Sequence, residues 1–95
     1  MIRSWADKKT KAFFETGRAP KGAGWASLDR VVARKLLALA SAERLDDLRS
    51  PPGNRLEALS GDRNGQYSIR VNDQWRICFC WSEGAADDVE VTDYH

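Results

Sequence analysis

Two stretches of strict period-two alternation, separated by three polar residues, restrict the fold more than any other feature of this chain. In Gln66–Asn72, Tyr67, Ile69 and Val71 alternate with Ser68, Arg70 and Asn72. In Trp75–Trp81, Trp75, Ile77, Phe79 and Trp81 alternate with Arg76, Cys78 and Cys80. Successive side chains of a strand point to opposite faces, so each stretch presents one apolar and one polar face. With Asn72-Asp73-Gln74 between them they predict an antiparallel hairpin. Arg70 and Arg76 then share the open face, where two guanidinium groups could hold a phosphate bidentately. The same pattern also suits paired surface arginines bonded to Glu90 or Asp93.

The rest of the chain supplies elements to cover the apolar face. A short strand fits Ile2–Ala6, and a polar helix fits Asp7–Thr16, with Ala12, Phe13 and Phe14 as its apolar patch and Gly17 as its stop. The loop Arg18–Ala26 contains Pro20, Gly22 and Gly24. A second helix is predicted over Ser27–Ala42, with Ser27 as N-cap and Asp29 at the positive end of the dipole. Leu28, Val32, Leu36, Leu39 and Ala40 form its buried stripe, and Arg30, Arg34 and Lys35 lie off it. Asp46–Asn54 reads as a turn region, Arg55–Leu59 as a weak strand and Asp88–Thr92 as a last strand burying Val89 and Val91. The order β-α-α-β-β-β-β predicts an α+β fold, with two N-terminal helices packed on one face of a curved antiparallel sheet. Ninety-five residues predict one domain, 1–95.

Charge is unevenly spread. Residues 1–50 hold eleven Lys/Arg against six Asp/Glu, and residues 51–95 hold four against eight, so a net charge of +1 hides halves of +5 and −4. The basic half could meet an anionic partner such as RNA, or could simply be solvated helix faces. No apolar run reaches the roughly 20 residues of a membrane span, and the start lacks the pattern of a signal peptide, so a cytoplasmic protein is expected. Cys78 and Cys80 share one strand face, which suits a disulfide poorly. Two cysteines and a single histidine do not make a zinc site. Four Trp are anchors for a small core or stacking surfaces for bases.

Four segments together resemble the HigB branch of the RelE/ParE toxin superfamily. They are Met1-Ile2-Arg3-Ser4; Leu56-Glu57-Ala58-Leu59-Ser60-Gly61-Asp62-Arg63; Gly65 to Asn72 with Gln74-Trp75-Arg76-Ile77; and the closing Asp93-Tyr94-His95. The stretch Ser50 to Glu57 is similar to a chromosomal, GraT-like group within that branch. The resemblance implies a RelE-like fold and a type II toxin that cuts messenger RNA in the ribosomal A site without a metal or other cofactor. It further implies neutralisation by a HigA-type helix-turn-helix antitoxin, and operator DNA binding only through that antitoxin. A ParE-like gyrase inhibitor, or a non-catalytic RNA- or partner-binding domain on the same scaffold, are the alternatives. The Asp-Tyr-His ending argues against the first of them.

RNA carries its own nucleophile, the 2′-hydroxyl. The protein must help remove one proton, deliver another to the leaving 5′-oxygen and steady a phosphorane. The resemblance assigns His95 as general acid or base, because an imidazole titrates near neutrality. It assigns Tyr94 to hold the 2′-hydroxyl or stack on a base, and Asp93 to orient His95, act as base, or merely pair with Arg76. Arg76 is the candidate for charge stabilisation at the phosphate. Arg63, Arg70, Ser60 and Asn72 are candidate RNA contacts. In an extended strand Tyr94 and His95 point to opposite faces, so a shared site requires the chain to turn at its end.

Two departures from the family pattern matter. Many relatives have a histidine where this chain has Glu57, and a lysine where it has Ser60. Glu57 serves as a base only if burial raises its pKa, and Ser60 removes a cation worth on the order of 1.5–3 kcal/mol per charge-assisted contact. A weaker nuclease than the histidine-bearing relatives is expected. Glu57→Ηis is therefore expected to speed ribosome-dependent cleavage, and a slower or unchanged variant counts against that reading.

Overall fold

The computed structural model describes residues 1–93. Four antiparallel strands, β1 (Glu57–Ala58), β2 (Tyr67–Arg70), β3 (Arg76–Ser82) and β4 (Ala85–Thr92), lie in chain order in one sheet. The odd-numbered apolar residues of the hairpin do what their alternation requires. Ile69, Ile77 and Phe79 are fully buried and join Val89 and Val91 from β4. The cover on that face is α1 (Lys8–Thr16) and α2 (Asp29–Ser41), which contribute Phe13, Val32, Leu36 and Leu39 to the same core. Trp25, from the connecting loop, meets Phe13 edge-to-face at 5.1 Å between ring centres, so this tryptophan is a core anchor. The fold is the predicted α+β class. Among the described residues no helix is long and apolar enough to cross a membrane.

Several local expectations are corrected. The opening strand Ile2–Ala6 is reduced to two isolated parallel bridges, Ile2 to Ala86 and Trp5 to Val89. The ladder breaks between them because β4 bulges there: Cys78 faces Glu90 but Cys80 faces Asp87, and Asp88 takes φ 53°. A bulge adds one residue and reverses the alternation. That is why the period-two signal stops at Asp88 while the strand itself begins at Ala85. Upstream of the bulge Ala86 is the core residue, and downstream Val89 and Val91 are. The β3–β4 connection is a tight turn through Glu83 and Gly84, both at positive φ, as two-residue hairpins that match strand twist require.

The expected strand Arg55–Leu59 shrinks to two residues, because Arg55 is left-handed and a 3-10 turn occupies Gly61–Arg63. Ser27 does not cap α2. A 3-10 turn over Ala26–Leu28 feeds into the helix, and its backbone donors are met by the carbonyls of Ala23 and Trp25. In α1, Ala12 is exposed and Thr10 is buried in its place. Asp7 is the N-cap, accepting from the Thr10 amide at 2.8 Å.

Lys35, expected on the solvent side of α2, is buried and donates to Asn54 Oδ1. The Asn54 amide donates in turn to the Leu48 and Ser50 carbonyls, pinning the 45–54 segment to α2. Burial, with Arg34 and Arg70 nearby, pushes the Lys35 pKa down.

The outer edge of β4 is sealed by the N-terminal segment. The backbone donors of Arg3 and Ala6 meet the Ala86 and Val89 carbonyls, and the donors of Ala86 and Val89 meet the Met1 and Ser4 carbonyls. Asp88 N–H donates to Ser4 Oγ, and Val91 N–H donates to the fully buried Thr10 Oγ1 at 3.2 Å. Thr10→Val leaves a buried donor without its acceptor, at a cost of about 1–3 kcal/mol. Thermal denaturation is expected to show a lowered Tm, and an unchanged Tm overturns the assignment.

Candidate active site on the open sheet face

Strand register decides which side chains meet. One cross-strand row on the face away from the helices is Glu57, Ser68, Cys78 and Glu90, with Ser68 and Cys78 buried, and the next is Arg70, Arg76 and Thr92. The hairpin thus places the two arginines as direct cross-strand neighbours, at the spacing where side chains interact. It also places Glu57 one row away from them. Arg63 reaches this face from its 3-10 turn, donating to Glu90 Oε1 at 2.9 Å and to Gln66 Oε1 at 3.0 Å. Asp93 follows Thr92 at the end of β4, and its carboxylate accepts from Gln74 Nε2 at 3.0 Å. The β2–β3 turn is thereby tied to the end of the described chain.

The three arginines are restrained differently. Arg63 forms a partly buried ion pair with Glu90. Arg70 pairs with Asp73, which is 97% exposed, and its buried Nε has no hydrogen-bond partner. An ion pair with so exposed an acid contributes about 0–1 kcal/mol, so Arg70 exchanges Asp73 for another anion at little cost. Arg76 donates to the carbonyls of Asn72 and Trp75 and has no carboxylate partner among the described residues. The alternative of bonds from Arg70 and Arg76 to Glu90 is corrected: Glu90 is taken by Arg63, which the turn at Gly61–Arg63 delivers across the sheet.

Asn72 acts in the turn. Its Oδ1 accepts from the amides of Gln74 and Trp75 at 2.9 and 2.7 Å, an Asx arrangement that fixes the carbonyl to which Arg76 donates. Glu57 is exposed, so the burial on which its role as base depended is absent. Glu57, Ser60 and Arg63, with Ala58 and Leu59, line a cleft of about 240 Å³ beside the arginine rows. Tyr94 and His95, assigned above to the chemistry, lie outside the described residues.

Sequence reasoning missed Gln74, Glu90 as the partner of Arg63, and the backing of the turn by Gly24. A Cβ on Gly24 would stand 2.5 Å from the Trp75 ring, so only glycine lets the 18–26 loop close on that indole. The spacing of glycines in a loop gives no hint of such a contact.

The comparisons with known proteins agree with this fold. Residues 3–95 match the family model described as the RelE-like toxin of the type II toxin–antitoxin system HigB. The chain belongs to that HigB-like toxin family. It is 40% identical over 86 residues to Toxin HigB-1 of Vibrio cholerae, covering 90% of each chain. It is 36% identical over 95 residues to Endoribonuclease HigB of Proteus vulgaris, covering all of both. Its fold is similar to that of a YafQ mutant from E. coli, with a TM-score of 0.60 at 8% identity, over 98% of this chain and 93% of that one. As a HigB-like toxin of a type II system it has an antitoxin as partner.

Cys78, buried in this HigB-like face with Ser68 and Glu90 as its cross-strand neighbours, has its thiol pushed by burial from 9.0 up to about 11. Burial also raises the Cys80 pKa, with Asp88 and Asp87 adding to it. A raised thiol pKa stabilises the fold below the unfolded value and is lost as pH climbs to the folded one. Stability is therefore expected to fall between pH 9.0 and about 11, and Cys78→Ser, if folded, to flatten that decline in a pH series of denaturant midpoints. An equal decline in both proteins refutes it.

Proposed function

We propose that this chain is a metal-independent endoribonuclease toxin, one unit over residues 1–95, that cuts messenger RNA in the ribosomal A site. The observation that carries the reading is the register of Arg70 against Arg76 on the open face, with the Arg76 guanidinium held by carbonyls rather than by a carboxylate. Such a pair is preorganised for an anion and loses no internal salt bridge at Arg76 on binding one. The name of the Proteus vulgaris relative supports the same activity.

In this mechanism the substrate supplies the 2′-hydroxyl. Arg76 stabilises the charge that grows on the phosphorane, and Arg70 exchanges Asp73 for a flanking phosphate. Arg63 contacts RNA from the cleft it lines with Ser60 and Glu57. Asn72 serves RNA binding indirectly, by holding the turn from which Arg76 is aimed. The register of Thr92 against Arg76 supports bringing the chain end to this row. There His95 acts as general acid or base, Tyr94 holds the 2′-hydroxyl or stacks on a base, and Asp93 orients His95. The partner is a HigA-type helix-turn-helix antitoxin. Operator DNA is bound only through it, and the toxin acts in the cytoplasm.

Arg76→Ala removes a charge-assisted contact worth on the order of 1.5–3 kcal/mol, so cleavage of ribosome-bound messenger RNA is expected to slow roughly 10- to 100-fold. Tyr94→Phe and His95→Ala are expected to slow it as well, with the fold retained. Mapping messenger RNA ends after induction reads the outcome. If all three variants still arrest growth, the nuclease reading fails and a gyrase-directed or non-catalytic toxin takes its place.

A further inference from the structure

Among the described residues Lys35 is the only charged side chain that is buried. Its ammonium donates to Asn54 Oδ1, and no carboxylate of the described residues pairs with it. The charges close to it, on Arg34 and Arg70, are both positive. A buried cation without a counter-ion is costly to a fold, and an uncharged side chain of the same length would fill the space more cheaply. Packing therefore accounts for the length of Lys35 but not for its charge.

The surroundings say what that charge acts on. Asn54 is 2% exposed and ends the 3-10 turn Pro52–Asn54. Its amide donates to the Leu48 and Ser50 carbonyls at 3.1 and 3.2 Å, so the acceptor of the ammonium is itself clamped. That turn packs against β2, and β2 ends at Arg70. A cation fixed on α2 is thus held beside the strand end from which Arg70 projects. Arg70 is paired with an acid in an exposed turn, a weak restraint on its direction. Repulsion from a fixed positive neighbour disfavours guanidinium positions that fold inward. The same field favours an anion at Arg70, and it acts in an interior where water screens it little.

We propose that Lys35 is a positioning residue for the arginine face: held by Asn54, its buried ammonium keeps Arg70 turned outward and strengthens the hold of Arg70 on a flanking phosphate. Lys35 touches no RNA and works through Arg70. This role rests on the nuclease reading for the identity of the anion, a phosphate of messenger RNA. It separates two contributions that a buried lysine can make, a hydrogen bond to the fold and a charge to the site, and assigns the second to function.

The experiment uses the full chain and reads two quantities on the same variants. One is Tm. The other is affinity for ribosomes programmed with messenger RNA that is 2′-deoxy at the cut site and so lacks the nucleophile. Lys35→Gln keeps a donor for Asn54 and removes the charge. It is expected to raise Kd roughly 5- to 10-fold, with Tm equal to wild type or higher. On cleavable RNA, KM is expected to rise by the same factor and kcat to stay nearly unchanged. Lys35→Met, also neutral and of similar length, is expected to lose the same affinity whatever its Tm. Arg70→Gln is expected to weaken binding too, and adding Lys35→Gln to it to change affinity by less than about 2-fold, because the pair acts as a unit. A lowered Tm with unchanged affinity makes Lys35 a structural strut and overturns the proposal. So does a loss of affinity that persists in full in the Arg70→Gln background, or a failure of both Lys35 variants to fold. If wild type binds the ribosome but leaves ordinary messenger RNA whole, the nuclease reading fails, while the difference in affinity between Lys35→Gln and wild type still decides the role of Lys35. Absence of binding by wild type overturns both.

Discussion

The arginine face depends on β4 being held along both of its edges. One edge pairs with β3, which sets Thr92 opposite Arg76. The other would be an open row of donors and acceptors, and the first ten residues close it: backbone from Met1 to Ala6, then the hydroxyls of Ser4 and Thr10. An unpaired edge exposes the strand to slippage and to pairing with other chains, and a slip of one residue would turn Glu90 and Thr92 to the wrong face. Arg3 reinforces the closure from outside, donating to Asp87 at 2.6 Å and to Ser82 Oγ at 2.8 Å. Residues near the N-terminus thus fix the strand that leads to the C-terminus, where the proposed chemistry needs its proton-transfer groups.

How much of this was legible in the sequence follows from how local each signal is. The hairpin, the shared face of Arg70 and Arg76, and the core of Ile69, Ile77 and Phe79 follow from period-two alternation, which needs only neighbouring residues. The opening strand was overstated because its pairing depends on a bulge at Asp88, more than eighty residues away, and a bulge leaves no periodic mark. Lys35 was misplaced because helix position alone puts a lysine outside. What brings it in is Asn54, whose amide can satisfy a buried ammonium and two carbonyls at once. The site was half legible: the arginines follow from alternation, but their partners depend on turns that fold over the sheet from elsewhere.

Those partners sort the arginines by how readily each can turn to a new anion. Arg63 is committed to Glu90 in a partly buried pair, where leaving the carboxylate alone would cost more than at the surface. Arg70 is attached to an acid at the tip of a solvent-exposed turn. Arg76 has carbonyls only. Gradation of this kind gives the face one position ready for an anion, one easily released and one held back, although all three side chains are the same.

The same arrangement explains why net charge is a poor guide to this chain. Among the acids that make residues 51–95 negative, Glu57, Asp73, Glu90 and Asp93 lie on or beside the arginine face, where Asp73 and Glu90 pair with Arg70 and Arg63. The excess of cations in residues 1–50 belongs largely to the helices and their connecting loop. At about 10 Å the field of the open face is screened, so that face attracts RNA weakly from a distance and recognises a phosphate only once it arrives. Affinity for free RNA rises with the number of phosphates contacted, and two or three guanidinium groups give few. A face built this way works best on RNA that another body already holds still. For the proposed reaction that body is the ribosome, which supplies the positioning and leaves the toxin to supply the local charge.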